Sequence, residues 1–164
     1  MTNFFICFGA IFVLIVNLVI LESTIIFSVK KQNRIIALYG IVLLIGMLPF
    51  YLLERGWGVW IVESKPRFSP LFLGFILSFP TGFVVIPIIY TFLKIYKSFE
   101  TKALKKKWLF FLIGSLGAFS VTYLIWINNY VFDYNFRLIV GIYAISMILW
   151  GYLMYYGIGF KLKP

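Results

Sequence analysis

Apolar residues run along this chain in five long stretches, separated by short polar gaps. The stretches extend from Phe4 to Val29, Ile35 to Leu53, Leu71 to Leu93, Trp108 to Val131 and Leu138 to Tyr156. About 20 apolar residues carry a helix across a hydrocarbon layer roughly 30 Å thick, so each stretch predicts a transmembrane helix. The first exceeds that length at about 1.5 Å per residue and is expected to tilt or protrude. It opens Met1-Thr2-Asn3, without the basic start of a secretion signal, and its apolar run is longer than a signal peptide carries. It is therefore expected to be a permanent helix.

The connections Lys30–Arg34, Glu54–Pro70, Lys94–Lys107 and Phe132–Arg137 are too short to enclose cores of their own. The pattern thus predicts an all-α polytopic membrane protein: one transmembrane domain over residues 1–164, a five-helix bundle with no soluble domain. No repeat halves the chain, and five is odd, which argues against an inverted-repeat transporter core in one subunit. The segment Gly56-Trp57-Gly58-Val59-Trp60-Ile61-Val62 is too short to cross and is expected to lie on the outer surface.

Charge adds a direction. Lys30, Lys31 and Arg34 fill the first gap; Lys94, Lys97, Lys102, Lys105, Lys106 and Lys107 fill the third; Lys161 and Lys163 follow the last stretch. The alternate side holds Arg55, Lys65, Arg67 and Arg137. Basic residues gather on the cytoplasmic side of membrane proteins. The expected orientation is therefore N-terminus outside and C-terminus inside, as five crossings require. Trp57, Trp60, Trp108, Tyr155 and Tyr156 stand near stretch ends, where amphipathic rings favour the membrane–water interface.

Composition then removes function classes. Only 12% of residues are charged, about half of what a soluble surface uses. The net charge of +10 sits at stretch ends and forms no basic face interleaved with stacking aromatics, so nucleic acid is not an expected partner. There is no histidine, which removes His-ligated metal, bis-His haem and His general-base chemistry. Cys7 is the single cysteine, so no internal disulfide or CxxC exchange is possible. With five scattered acids, the chain is not expected to be an enzyme, and neither a metal nor a cofactor is expected.

What remains is a small set of polar groups at membrane depth. Glu22 is the one ionisable residue well inside a stretch, and Asn17 adds a second polar group to the same helix. An intramembrane carboxyl is a candidate proton, cation or ligand site, or else a neutral or paired acid reaching the interface. In the third stretch Ser78-Phe79-Pro80-Thr81-Gly82 precedes Pro87. Proline removes a backbone donor, so Ser78, Pro80 and Thr81 mark a kink or break. Such a break is a candidate ligand or ion site, or a static kink satisfied by hydroxyls. Gly114 and Ala118 have small-xxx-small spacing, and Gly141 adds a small residue to the fifth stretch. They are candidates for helix packing within the chain or for a homo-oligomer seam. Lys102, Lys105, Lys106 and Lys107 form a basic cytoplasmic loop that sets topology and offers a docking face to an acidic protein or to lipid.

The second half, with Lys105-Lys106-Lys107-Trp108 opening the fourth stretch and Tyr156-Gly157-Ile158-Gly159-Phe160 closing the fifth, resembles multi-helix membrane sensor modules. Such modules occur at the front of prokaryotic histidine kinases and related receptors. The resemblance implies a prokaryotic plasma membrane and, since no output domain follows Pro164 here, an output carried by a partner protein. The string Lys65-Pro66-Arg67-Phe68-Ser69-Pro70 echoes a signature of the tryptophan-rich translocator family, but it follows the second stretch instead of the first and has Phe in place of Trp. The expected function is a non-enzymatic, sensor-like or accessory membrane subunit that binds a partner protein or a small hydrophobic ligand. The alternative is a small transport component working as an oligomer or in a complex.

Overall fold

The computed structural model describes residues 2–52, 58–62, 65–131 and 133–159, with backbone alone for 23–26 and 159. Arg55, Trp57, Lys161 and Lys163 lie outside the described residues, as does the side chain of Thr24. The chain divides into two compact units, Met1–Thr91 and Phe92–Pro164. Five helical segments are long and apolar enough to cross a membrane: Thr2–Glu22, Val29–Leu52, Pro70–Ser98, Lys102–Val131 and Tyr134–Ile158.

In the first unit, helix α1 (Thr2–Ile26) is followed closely by α2 (Val29–Leu52). The run Lys30–Arg34, expected as a gap, is instead the opening of α2. Ser28 makes this possible: its backbone oxygen accepts from the amides of Lys31 and Gln32, and the Gln32 side chain donates to the Phe27 carbonyl at 2.9 Å. Capping both helices across two residues leaves no room for a longer loop. Cys7, Ile11 and Leu14 form the buried stripe of α1, and Tyr39, Leu43 and Met47 that of α2. Both stripes follow helical spacing. Glycine sets the approach between elements: a Cβ at Gly40 would strike the Phe8 ring at 2.8 Å, and one at Gly46 the Phe75 ring at 2.6 Å.

A β-hairpin follows, built from β1 (Val59–Val62) and β2 (Lys65–Phe68), antiparallel with Val59 opposite Phe68 and Val62 opposite Lys65. It places a strand pair in the Glu54–Pro70 connection, among described elements that are otherwise helical. The Ser69 amide donates to the Gly58 carbonyl at 2.9 Å, and Gly58 lies so close to the Phe50 carbonyl that no side chain fits there. Ser69 then caps α3 (Pro70–Pro80) by accepting from the Phe72 amide at 3.0 Å, with Pro70 in the first turn, where its missing N–H is not needed.

The helix does not break at Pro80. It passes through one π turn, Thr81–Val85, where the Ile86 amide donates to Thr81, five residues back, and continues as α4 (Ile86–Ser98). The missing proline donor is absorbed by a register shift, not by a gap.

The second unit comprises the end of α4, then α5 (Lys102–Val131), α6 (Tyr134–Ala144) and α7 (Met147–Gly159). Only residues 99–101 separate α4 from α5. Asp133 caps α6, accepting from the Phe136 amide at 2.7 Å. The fifth stretch, expected as a single helix, carries a turn at Ile145 and Ser146. There the bonds tighten to i→i−3: Ile145 to Ile142, Ser146 to Tyr143, and Ile148 to Ile145. The Ser146 hydroxyl also donates to the Tyr143 carbonyl at 2.6 Å and accepts from Trp150 Nε1 at 2.8 Å, competing with the helix ladder for that carbonyl. α7 packs on α5 through missing side chains. A Cβ at Gly114 would meet the Trp150 carbonyl and Met154 amide at 2.7 Å, and one at Gly157 the Phe111 amide at the same distance.

Candidate functional site

Most of the polar groups at membrane depth are already in use. Glu22 Oε2 accepts from Lys31 Nζ at 2.8 Å, across the α1–α2 connection, and both side chains are partly exposed, 34% and 49%. The carboxylate lies where α1 ends and α2 begins, and its partner comes from the opening turn of α2. Ser78 is exposed, with its hydroxyl on the Phe75 carbonyl at 3.4 Å, and Thr81 Oγ1 donates to the Leu77 carbonyl at 2.5 Å. Thr91 does the same for Pro87 at 2.8 Å. Each of these hydroxyls is thus spent on a carbonyl three or four residues back along the chain.

Asn17 differs. It is fully buried on α1; its Nδ2 donates to the Val13 carbonyl at 2.9 Å, and its Oδ1 finds no partner among the described residues. An orphaned buried amide oxygen costs about 1–3 kcal/mol. Asn17 stands three residues beyond Leu14, less than one turn along α1. Leu14 lines an apolar cleft of this unit.

That cleft, of about 210 Å³, lies between α1, α2 and the α3–π turn region, lined by Ile11, Leu14, Leu38, Tyr39, Phe79 and Phe83 together with Ile35 and Val42. Ile11 and Tyr39 are buried, while Leu38 and Phe83 are exposed and form the rim. The Tyr39 hydroxyl donates to the Cys7 carbonyl at 2.9 Å, which ties α2 to α1 and presents the ring to the cleft. Pro80 and Thr81 follow the lining residue Phe79 directly, so the π turn shapes one wall. A second apolar hollow, about 220 Å³, lies among Phe4, Leu44, Met47, Leu48 and Tyr51.

The structure thus places Pro80 and Thr81 beside this cleft and Asn17 less than one turn along α1 from it. It puts Glu22 in an ion pair at the helix end. Gly114 lies against α7, Ala118 is half-buried on α5, and Gly141 is exposed with nothing within 4 Å of a would-be Cβ. Lys105 Nζ sits over the Tyr96 ring at 5.6 Å and Lys106 Nζ over Phe110 at 5.9 Å; Lys102 is exposed and Lys107 half-buried. Among the described residues no group of His, Cys, Asp and Glu converges on a metal-sized site.

Sequence reasoning passed over the aromatic wall of the cleft. Tyr39, Phe79 and Phe83 look like ordinary apolar positions, and the one signal available was Phe79 and Phe83 at i, i+4 across a proline. In comparisons with known proteins, no family model, no curated relative and no solved structure matches the chain, so the functional reading rests on the chemistry of these residues.

Proposed function

We propose that this chain is a non-enzymatic, multi-pass membrane protein whose first unit binds a small hydrophobic ligand in the cleft between α1, α2 and the π turn. In this reading it acts as a sensor-like or accessory subunit toward a partner protein. The observation that carries the reading is the lining of the cleft. Its side chains are aliphatic or aromatic, and its single hydroxyl, on Tyr39, is already bonded to a backbone carbonyl. Such a wall offers dispersion contacts to an apolar guest and has no free group for acid–base or nucleophilic chemistry. The π turn beside it gives the wall an element with an alternative hydrogen-bond register, through which occupancy would be felt along α4.

The test uses purified full-length protein in mild detergent and a photoactivatable fatty-acyl probe, with adducts mapped by mass spectrometry. Adducts should concentrate on the lining residues, Val42 and Phe83 among them, and Leu14→Trp, which fills the cleft, should remove them. Adducts spread evenly over exposed apolar residues and indifferent to Leu14→Trp would sink the proposal. A protein that copurifies in stoichiometric amount supports the accessory role.

The transport reading draws on one observation, the orphaned Oδ1 of Asn17. A carbonyl-type oxygen without a donor is a weak cation ligand. If the chain conducts a cation as an oligomer, Asn17→Leu abolishes flux in liposomes while Glu22→Gln leaves it intact, because Glu22 is engaged with Lys31 at the helix end.

A further inference from the structure

We infer that the α4–α5 hairpin is a binding surface for anionic phospholipid headgroups. This goes beyond the ligand reading above and needs only that the helices on either side lie in a bilayer. Six lysines fall between residues 94 and 107, against the single acid Glu100. Lys94 and Lys97 are three residues apart on the last turns of α4. Lys102, Lys105 and Lys106 occupy i, i+3 and i+4 on the first turns of α5. Each set therefore lies along one side of its helix. The Lys105 ammonium over the Tyr96 ring turns the α5 set toward α4. The ring of Trp108 fixes the two helix ends together, parallel to Phe92 at 6.0 Å, on Phe111 at 5.0 Å and edge-on to Phe99 at 6.2 Å.

Two features favour lipid over an acidic protein. The first is depth. The segments Pro70–Ser98 and Lys102–Val131 are both long and apolar enough to cross a membrane, and only residues 99–101 separate the two helices. The lysines are thus held within a turn or two of the hydrocarbon, at the level where phosphodiesters lie. The Lys105 ammonium lies over the Tyr96 ring and the Lys106 ammonium over the Phe110 ring, which holds both charges against the aromatic ends of the helices. A soluble acidic protein would have to descend to that level.

The second feature is a local conflict. The start of a helix carries partial positive charge and favours acids. α5 has no acid in its first turn and places Lys102, Lys105, Lys106 and Lys107 in its first two turns. The helix dipole disfavours cations at this end, and phosphate oxygens there would offset both the added positive charge and the dipole.

The test titrates phosphatidylglycerol and, separately, phosphatidylcholine onto the purified full-length protein in neutral detergent, read by native mass spectrometry and by thermal shift. Phosphatidylglycerol should bind more tightly, and high salt should abolish the preference. Each lysine neutralised should weaken phosphatidylglycerol binding about fivefold, so Lys105→Gln with Lys106→Gln should lower it roughly 25-fold. Lys65→Gln, on exposed β2, should leave it unchanged. Equal binding of the two lipids by the wild-type protein, or a preference indifferent to salt, overturns the inference without any variant. So does an acidic protein that copurifies with the wild type and is displaced by salt but not by phosphatidylglycerol. Should the double variant elute as aggregate, Lys97→Gln with Lys102→Gln repeats the test on the other lysines of the hairpin.

Discussion

Inside this protein a polar side chain has to find a partner or meet a guest, and its residues divide along that line. Ser78, Thr81, Thr91, Ser115 and Ser146 each donate to a carbonyl three or four residues back along the chain. Glu22 reaches Lys31. Both side chains of that pair are about one-third exposed or more, so its stabilisation is screened and falls in the range of about 0–1 kcal/mol. Glu22→Gln should therefore lower the midpoint of denaturation in detergent by little or nothing; a loss of several kcal/mol would mean that the carboxylate carries a deeper structural load than this geometry gives it. Asn17 Oδ1, like Asn128 Oδ1 and Trp108 Nε1, has no partner among the described residues, and its substitution has the opposite sign. Asn17→Leu removes an acceptor that is buried without a donor, which should raise stability by about 1 kcal/mol, seen as a higher Tm. A lower Tm would show that the amide is satisfied in the membrane-embedded protein, for instance by water or a bound cation.

At the scale of the element, helices here associate without the hydrophobic effect that drives them together in water, so close approach of backbones has to substitute for it. Glycine provides that approach where α5 meets α7. Gly114→Leu would push a side chain into the backbone at Trp150 and Met154 and should cost about 1–3 kcal/mol, as overpacked cores do. Gly141, with open space around it, gives the control: Gly141→Ala should stabilise α6 by roughly 0.5–1 kcal/mol. Equal effects at the two sites, measured by denaturation in detergent, would remove the distinction between them. The contrast also marks what was legible in the sequence. Long apolar runs disclose spans because their length and composition are the signal, and proline at 80 disclosed a disturbance. Which glycine touches a neighbour depends on helix rotation, which composition does not encode; Gly114 and Gly141 look alike until α7 is placed. The turn at Ile145 and Ser146 stayed hidden because neither residue is a helix breaker and its cause is a hydroxyl bonded three residues back. The hairpin at 59–68 was hidden for a related reason, since its register is fixed by the Ser69–Gly58 bond and a buried Phe68 beside Phe72, both set by tertiary approach. The candidate site was half visible: Pro80 and Thr81 pointed to the wall, while the partners that make it a cleft come from α1 and α2.

For the whole molecule the decisive quantity is the imbalance of basic charge across alternate connections, eleven residues on one side against four on the other. The structure alters how that charge is carried. Lys30, Lys31 and Arg34 are in the first turns of α2, and all six lysines of the third gap are in α4 or α5, so these nine charges are fixed at helix ends and do not float in loops. Charges close to span ends are the ones that set orientation, and moving such a lysine through hydrocarbon costs about 2.5–3.5 kcal/mol at the helix centre. The N-terminus should therefore lie outside and the connection between α4 and α5 in the cytoplasm. Cysteine accessibility in intact cells tests this in a Cys7→Ser background, with Lys65→Cys on β2 and Ser98→Cys at the end of α4 as reporters. Both positions are exposed, so a membrane-impermeant maleimide should label the first from outside and the second only after lysis. Labelling of Ser98→Cys in intact cells would invert the orientation. Labelling of both positions in intact cells would mean a mixed population, with the charge imbalance too weak to choose.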